Sequence, residues 1–275
     1  MFEQLMEPFR YFTPALVAAT LSGALLGLVG VYVVLRGMAY IGHGLSHAIF
    51  GWAVVSFAGG VNFYVGAGAG GVLSALLINA LARRKRITAD VSIGIVTTAV
   101  FALGIAVISR RSSFTKNFEA ALFGNVLGVS AIDVLVIAAT LLGVALVVIF
   151  DYRRLLYSTF DPEVAEISGI SSRVQDLVLT AILAASIIVT MRLLGVTLIA
   201  AALITPAATA RLLTNRFGKM FRLSVAIGAA SGFLGVYLSY FLDVASGASV
   251  VLVASIVFAG ALLLTSVRWR VRQPA

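Results

Sequence analysis

The chain has 275 residues, 61% of them hydrophobic and only 11% charged, with a mean hydropathy of +1.07. A soluble domain of this length needs a largely polar surface, so the composition excludes one and points to a polytopic membrane protein. No cysteine is present, which removes disulfides, thiolate metal sites and sulfur redox chemistry, and limits any bound metal to nitrogen and oxygen ligands. The net charge of +9 does not argue for nucleic acid, because basic residues at the ends of apolar runs act as topology signals and as contacts to membrane lipid.

A hydrocarbon core about 30 Å thick takes roughly 20 apolar residues per helix. Residues 1–10 carry Glu3 and Glu7, with no basic n-region, and do not read as a cleaved signal peptide. Residues 11–35 are the first predicted span, and Arg36 and Gly37 make a very short turn into the second, 38–57. Gly59 and Gly60 break the chain before the third span, 63–81, which the cations Arg83, Arg84, Lys85 and Arg86 stop. Asp90 is the expected cap of the fourth, 91–109. Residues 112–130 are polar at first and then weakly apolar over a stretch too short to span, and are assigned to an interface, and 131–150 is the fifth span.

Residues 151–172 form the longest polar insertion between spans, and their core reads as a short helix outside the bilayer. Asp161 suits the N-cap, Pro162 the first helical position, Glu163 the positive end of the helix, and Gly169 its termination. By frequency alone such a helix is an ordinary solvated one, although its acidic face, with Glu163 and Glu166, also suits a docking surface. Two short apolar runs follow, 174–191 and 196–212, interrupted by Arg192 and Gly195. Pro206 in the second removes a backbone hydrogen bond, so a kink is expected there, and Gly195 and Pro206 together could form a moving element. Residues 221–242 and 249–266 complete the set.

Counting the two short runs separately gives nine spans, and fusing them gives eight. Charge favours nine. With an external N-terminus, the inside carries Arg36, Arg83, Arg84, Lys85, Arg86, Arg153, Arg154, Arg173, Arg211, Arg216, Lys219, Arg222, Arg268, Arg270 and Arg272, and the outside keeps Arg10, Arg110, Arg111, Lys116 and Arg192. That asymmetry has the sense of the positive-inside rule and sets the C-terminus and the Asp161 helix on the cytoplasmic side.

Both histidines of the chain, His43 and His47, fall four residues apart in the second span. On a helix their Cβ atoms stack about 6 Å apart on one face, a spacing from which two imidazoles can chelate one divalent ion. Counted from Met38 at about 1.5 Å per residue they lie within the hydrocarbon thickness, where polar rings are costly unless paired or used. Each could be a buried neutral histidine bonded to a neighbouring helix; two on one face, with Ser46 beside them, tilt the reading toward a metal or proton pathway. Gly42, Gly44 and Gly51 let another backbone approach and bring further ligands. A zinc protease of the His-Glu-x-x-His type fails because Gly44 stands where its glutamate must be. A bis-histidine haem fails because one helix cannot present axial ligands on opposite sides of the iron. No phosphate loop is present, since Gly218-Lys219 is followed by Met220, so the chain is no ATPase by itself and no enzyme by any motif it carries.

Five stretches, Met38-Ala-Tyr-Ile-Gly-His43-Gly-Leu-Ser-His47-Ala, Leu122-Phe-Gly-Asn125-Val-Leu-Gly-Val-Ser130, Phe160-Asp-Pro-Glu-Val-Ala-Glu-Ile-Ser-Gly-Ile170, Leu203-Ile-Thr-Pro206-Ala-Ala-Thr-Ala-Arg211-Leu-Leu-Thr214 and Ser246-Gly-Ala-Ser-Val-Val-Leu-Val253, resemble blocks of the ABC-type zinc, manganese and iron uptake permeases. The resemblance implies an all-α fold, a polytopic helical membrane protein of the type II-like importer class, with residues 1–275 as one transmembrane permease domain and 151–172 as its cytoplasmic coupling segment. It implies a homodimer in a bacterial inner membrane, two cytoplasmic ABC ATPase subunits, an extracytoplasmic metal-binding protein, and a transported ion bound transiently rather than a permanent cofactor. The family's second-span motif reads Gly-Asp-x-x-Ser-His; here Ser46 and His47 match and His43 replaces the aspartate. A second neutral nitrogen in place of a hard oxygen shifts preference toward zinc, with manganese or iron next, and two copies could offer four imidazoles. In this reading Glu119, Asp133 and Asp243 add negative potential to an outer cavity. The alternative is a metal- or proton-coupled secondary transporter without ATPase partners, which needs carboxylates deep in a span; Asp90, Asp176 and Asp243 all fall near span ends. In a third class, a structural or assembly subunit, neither histidine would matter to uptake.

Overall fold

The computed structural model describes residues 12–82, 88–110, 122–126 and 128–271. Eleven helices are described: α1 (Thr13–Leu35), α2 (Ala39–Ala58), α3 (Phe63–Ala82), α4 (Ala89–Ser109), α5 (Ala131–Phe150), α6 (Tyr152–Phe160), α7 (Pro162–Ile167), α8 (Ser172–Leu194), α9 (Ile199–Leu213), α10 (Phe217–Leu242) and α11 (Ser246–Val271). Seven of them are long and apolar enough to cross a membrane, and two shorter apolar helices, Phe63–Ile78 and Ile199–Leu213, make up the nine apolar segments read from the sequence. Their apolar character runs all round. On α5 the side chains of Ile132, Leu135, Leu142, Ile149 and Phe150 are exposed, a surface that suits lipid or another membrane helix and not water.

At the centre stands α1, the most buried of the long helices. It packs most extensively on α10 and also touches α5, α8 and α9. The reason is legible in small residues at every fourth position: a Cβ added to Gly23 would lie 2.0 Å from the Gly228 carbonyl oxygen, and one added to Gly27 would lie 2.5 Å from the Ser224 oxygen. On the facing helix, a Cβ at Gly232 would meet the Ala19 oxygen at 2.2 Å. The seam is completed by the Ser224 hydroxyl, which donates to the Gly27 carbonyl over 2.6 Å. Small residues that let backbones meet, and hydroxyls bonded across the gap, are the usual substitutes for hydrophobic drive between membrane helices. Leu25, Leu26, Tyr32, Ile49, Phe50, Leu183 and Ile187 fill the surrounding core.

Several boundaries differ from those read from the sequence. Thr88, and not Asp90, caps α4: its hydroxyl accepts from the Val91 N–H, and Asp90 falls in the first turn of the helix, where its charge still suits the dipole. The insertion at 151–172 holds two helices where one was expected, since α6 precedes the Asp161 helix. The run of apolar residues after Arg192 is separated from α8 by an actual break at Gly195, with φ +77, where an added Cβ would lie 2.3 Å from the Leu122 oxygen. Across that break, the Asn125 N–H bonds the Arg192 carbonyl and the Thr197 hydroxyl bonds the Leu122 carbonyl. α9 continues through Pro206, whose missing N–H leaves the Ala202 carbonyl without its helical donor. The basic run 83–86, Glu119 and most of the segment assigned to an interface lie outside the described residues.

Because the α1–α10 seam leaves no room for a side chain, Gly23→Val and Gly228→Val are expected to abolish recovery of monodisperse protein, whereas Gly143→Ala, with nothing within 4 Å, should leave it unchanged or stabilise the helix by up to about 1 kcal/mol. Thermal unfolding in detergent, followed by size-exclusion chromatography, makes the comparison; equal behaviour of the three variants would refute the seam.

Candidate metal site and coupling segment

The turn that joins α1 to α2 is built from Arg36 to Met38, with Gly37 at φ +66 and the Met38 N–H bonded to the Val33 carbonyl. So short a link leaves α2 little freedom relative to α1. Three turns of α2 then settle its rotation. Gly42 faces the Leu203 side chain of α9, Gly44 faces Ile93 and Thr97 of α4, and Gly51 meets the Val100 carbonyl of α4 at 2.4 Å from an added Cβ. Ser46 is buried, and its hydroxyl turns back to the His43 carbonyl at 2.7 Å, so it serves the helix rather than a ligand.

With those faces occupied, the two imidazoles are left together on another. Their ring centroids are 4.7 Å apart and their planes are inclined by 81°. His43 is exposed, while His47 is half-buried against the edge of Phe101, 4.8 Å between centroids. The buried Nδ1 of His47 has no hydrogen-bond partner among the described residues, and a buried polar nitrogen so placed is costly until something binds it. The helices that approach through Gly42, Gly44 and Gly51 bring apolar groups and Thr97, whose hydroxyl already donates to the Ile93 carbonyl. Among the described residues no group of three or more His, Asp or Glu comes together. Among the described residues, the neighbouring helices therefore supply no further ligands, and the pair offers two nitrogens where a closed zinc site has four donors.

One turn further along α2, Phe50 also packs on Phe101, at 5.9 Å between centroids, and begins the lining of a cavity of about 760 Å³. Val54 and Phe57 of α2 continue that lining, with Asn62, Tyr64, Asn125, Asp133 and Arg192 as its polar wall. The expectation of negative potential here fails for Asp133. One of its oxygens accepts from Arg192 at 3.0 Å and the other from the Ser130 N–H and hydroxyl, so its charge is matched by a cation and its lone pairs cap α5. Arg192 also donates to the Tyr64 hydroxyl at 3.1 Å. Asp243 does not line the cavity; it is exposed at the end of α10 in a left-handed conformation, φ 51. Sequence spacing gave no sign of the Arg192 cluster, whose members lie 59 and 128 positions from it.

At the opposite end of the bundle, α7 has a closed set of caps. The Asp161 carboxylate accepts from the Val164 N–H at 3.0 Å, Pro162 takes the first position and Glu163 the first turn. The N–H groups of Gly169, at φ +76, and Ile170 return to the Glu166 and Ala165 carbonyls, the double closure of a Schellman motif. Only Ala165 of this helix is buried; Asp161, Pro162, Glu163, Glu166 and Gly169 are exposed, and Ile167 is 88% exposed. A six-residue helix this well capped keeps its shape while presenting nearly all of itself outward.

The profile of the ABC 3 transport family matches residues 8–265. The manganese transport system membrane protein MntC of Halalkalibacterium halodurans is 42% identical over 94% of this chain and 88% of its own. A probable iron transport system membrane protein of Haemophilus influenzae is 33% identical over 98% of this chain and all of its own. A solved structure, PsaBC from Streptococcus pneumoniae in complex with Fab, covers 95% of both chains at 33% identity with a TM-score of 0.87. A helical membrane protein that matches over so much of its length belongs to the ABC 3 transport family.

Proposed function

We propose that the chain is the membrane-spanning permease subunit of an ATP-driven importer for a divalent transition metal ion. In this reading it works as a homodimer in a bacterial cytoplasmic membrane, with two ATPase subunits bound at α7 and an extracytoplasmic metal-binding protein delivering the ion at the Arg192 end. The N-terminal end of α1 is then external, and the coupling segment and the end of α11 are cytoplasmic. The observation that carries the reading is the pair of imidazoles at 4.7 Å in the second apolar helix, with the buried Nδ1 of His47 unpartnered.

The chemistry follows from those groups. The ion enters through the cavity, whose matched Asp133–Arg192 pair neither concentrates nor strongly repels a cation, and passes the Phe50–Phe101 contact to reach His47 and His43. Two neutral nitrogens hold it loosely, and the exposed position of His43 lets a second copy of α2 add two more. Exchange of access between the two sides is driven at α7, where Val164 and Ile167 offer apolar anchors and Glu163 and Glu166 a charged rim to the ATPase; Gly195 and Pro206 are the points at which the α8–α9 pair yields.

Manganese and iron are the metals in the names of the relatives, and the permease is read first as an importer of one of these. Zinc is the second reading, favoured by one observation: position 43 contributes an imidazole, a ligand that suits zinc better than manganese. ATP-driven uptake by the reconstituted complex, with zinc, manganese and iron in competition, decides between them. A His43→Asp variant is expected to move the ranking toward manganese by about tenfold or more, the equivalent of roughly 1.4 kcal/mol; an unchanged ranking would remove position 43 from selection. Accumulation of metal by vesicles that hold the permease alone would instead favour a secondary transporter.

An imidazole ligates only when neutral, and its ordinary pKa is about 6.5. Protonation below that value removes the ligand, so uptake is present above it and lost as pH falls. Uptake at pH 5.5 should be below that at pH 7.5 while ATP hydrolysis continues. Undiminished uptake at the lower pH would exclude histidine ligation.

Docking is tested by Ile167→Glu. The side chain is almost wholly exposed, so the permease should fold normally while its affinity for the ATPase falls about tenfold or more, as for a buried anchor at an interface. Retention of the ATPase at full stoichiometry during purification would remove α7 from the contact.

A further inference from the structure

Arg36 occupies the turn between α1 and α2, yet its guanidinium is spent on a different part of the chain. The side chain is only 8% exposed. Its Nε donates to the Thr159 hydroxyl at 3.0 Å, one terminal nitrogen to the Ser158 hydroxyl at 2.7 Å, and the other to the Asp176 carboxylate. The three partners flank α7 on both sides: Ser158 and Thr159 form the last turn of α6, just before Asp161, and Asp176 lies in the second turn of α8, the helix that follows. Both hydroxyls donate to the Leu155 carbonyl, at 3.2 and 2.6 Å, so each presents only lone pairs to Arg36. That arrangement matches a group with donors and no acceptor. Leu155 is itself fully buried, which fixes the receiving end of the fork.

The other attachment of α6 leads elsewhere. Tyr152 and Phe160 pack on Phe217 of α10, at 5.8 and 6.1 Å between ring centroids. Nothing else in the described hydrogen bonds joins the α6–α7 segment to the beginning of α2. Arg36 does, and it lies seven residues before His43 on a turn too short to absorb movement.

We infer that Arg36 is the positioning residue that carries movement of the coupling segment to the helix holding the two imidazoles. The inference rests on the proposed docking of an ATPase at α7. A displacement of α7 shifts Ser158, Thr159 and Asp176 together; the three-pronged fork passes that shift to the end of α1 and the first turn of α2, and so to the level and tilt of His43 and His47. A lysine would keep the ion pair with Asp176 but not the planar set of three bonds, so charge alone does not fulfil the role.

The test measures metal transported per ATP hydrolysed in the reconstituted complex of permease and ATPase subunits. Arg36→Gln is expected to lower that ratio at least fivefold while the ATPase subunits stay bound and continue to hydrolyse ATP, and Arg36→Lys is expected to fall between it and the unaltered protein. The double variant Ser158→Ala and Thr159→Val, which leaves Arg36 and Asp176 in place, should lower the ratio in the same direction and decides the matter where Arg36→Gln yields no folded permease. An unchanged ratio overturns the inference, as does loss of the ATPase from the Arg36 variants, because Arg36 would then only hold the docking site in shape. Retention of the ATPase by Ile167→Glu is a separate result that overturns the docking reading and leaves the Arg36 ratio to be read on its own.

Discussion

The close approach of α1 and α10 is the constraint from which the remaining geometry follows. Lipid tails are as apolar as leucine, so burial of apolar surface does not hold two membrane helices together as it does in water; close contact between backbones must do so. Gly23 and Gly27 on one side, and Ser224, Gly228 and Gly232 on the other, allow that contact, and the Ser224 bond to the Gly27 carbonyl fixes its register. Once α1 is held there it becomes the axis on which α5, α8 and α9 lean. Its last residue leads directly into the Arg36–Met38 turn, so the seam also sets the level at which α2 begins.

The same device, used a second time, orients the imidazoles. Gly44 and Gly51 bring α2 against α4, and Gly42 brings it to α9; these contacts consume the faces of α2 that glycine marks and leave His43 exposed, with His47 half-buried against Phe101 beside it. These glycines admit apolar side chains, the bonded hydroxyl of Thr97 and the backbone at Val100, and, among the described residues, no further ligands. On the proposed function this has a consequence for affinity. Two neutral nitrogens stabilise a dication less than carboxylates do, and a protein that must release its ion to the far side gains nothing from holding it tightly.

Local features of the chain were legible in the sequence, and long-range ones were not. Nine apolar segments, the short helix at Asp161 and its caps, and the pairing of His43 with His47 depend on residues within a few positions of one another, and the hydrophobic pattern and helix signals carry them. The cap of α4 moved from Asp90 to Thr88 because either residue type can cap and only the true start of the helix chooses. Asp133 seemed free to attract a cation because nothing local announces that Arg192, 59 positions on, will neutralise it. Arg36 read as a topology charge for the same reason, since its partners lie 122 to 140 positions away. Charged residues in an apolar chain are conspicuous in sequence, but their partners are decided by how the helices pack.

Both of these long-range networks terminate on α8. Near its start Asp176 receives Arg36, and near its end Arg192 reaches Asp133 and Tyr64, roughly 24 Å further along the helix at 1.5 Å per residue. Between them α8 is mostly apolar, with Leu179, Leu183 and Ile187 buried against its neighbours and the hydroxyls of Thr180, Ser186 and Thr190 bonded within the helix itself. The apolar contacts are close, but none of them is directional. The directional bonds at either end add to that packing a defined partner for each end of α8. Charges confined to the ends of this apolar span thus tie it to parts of the chain far away in sequence.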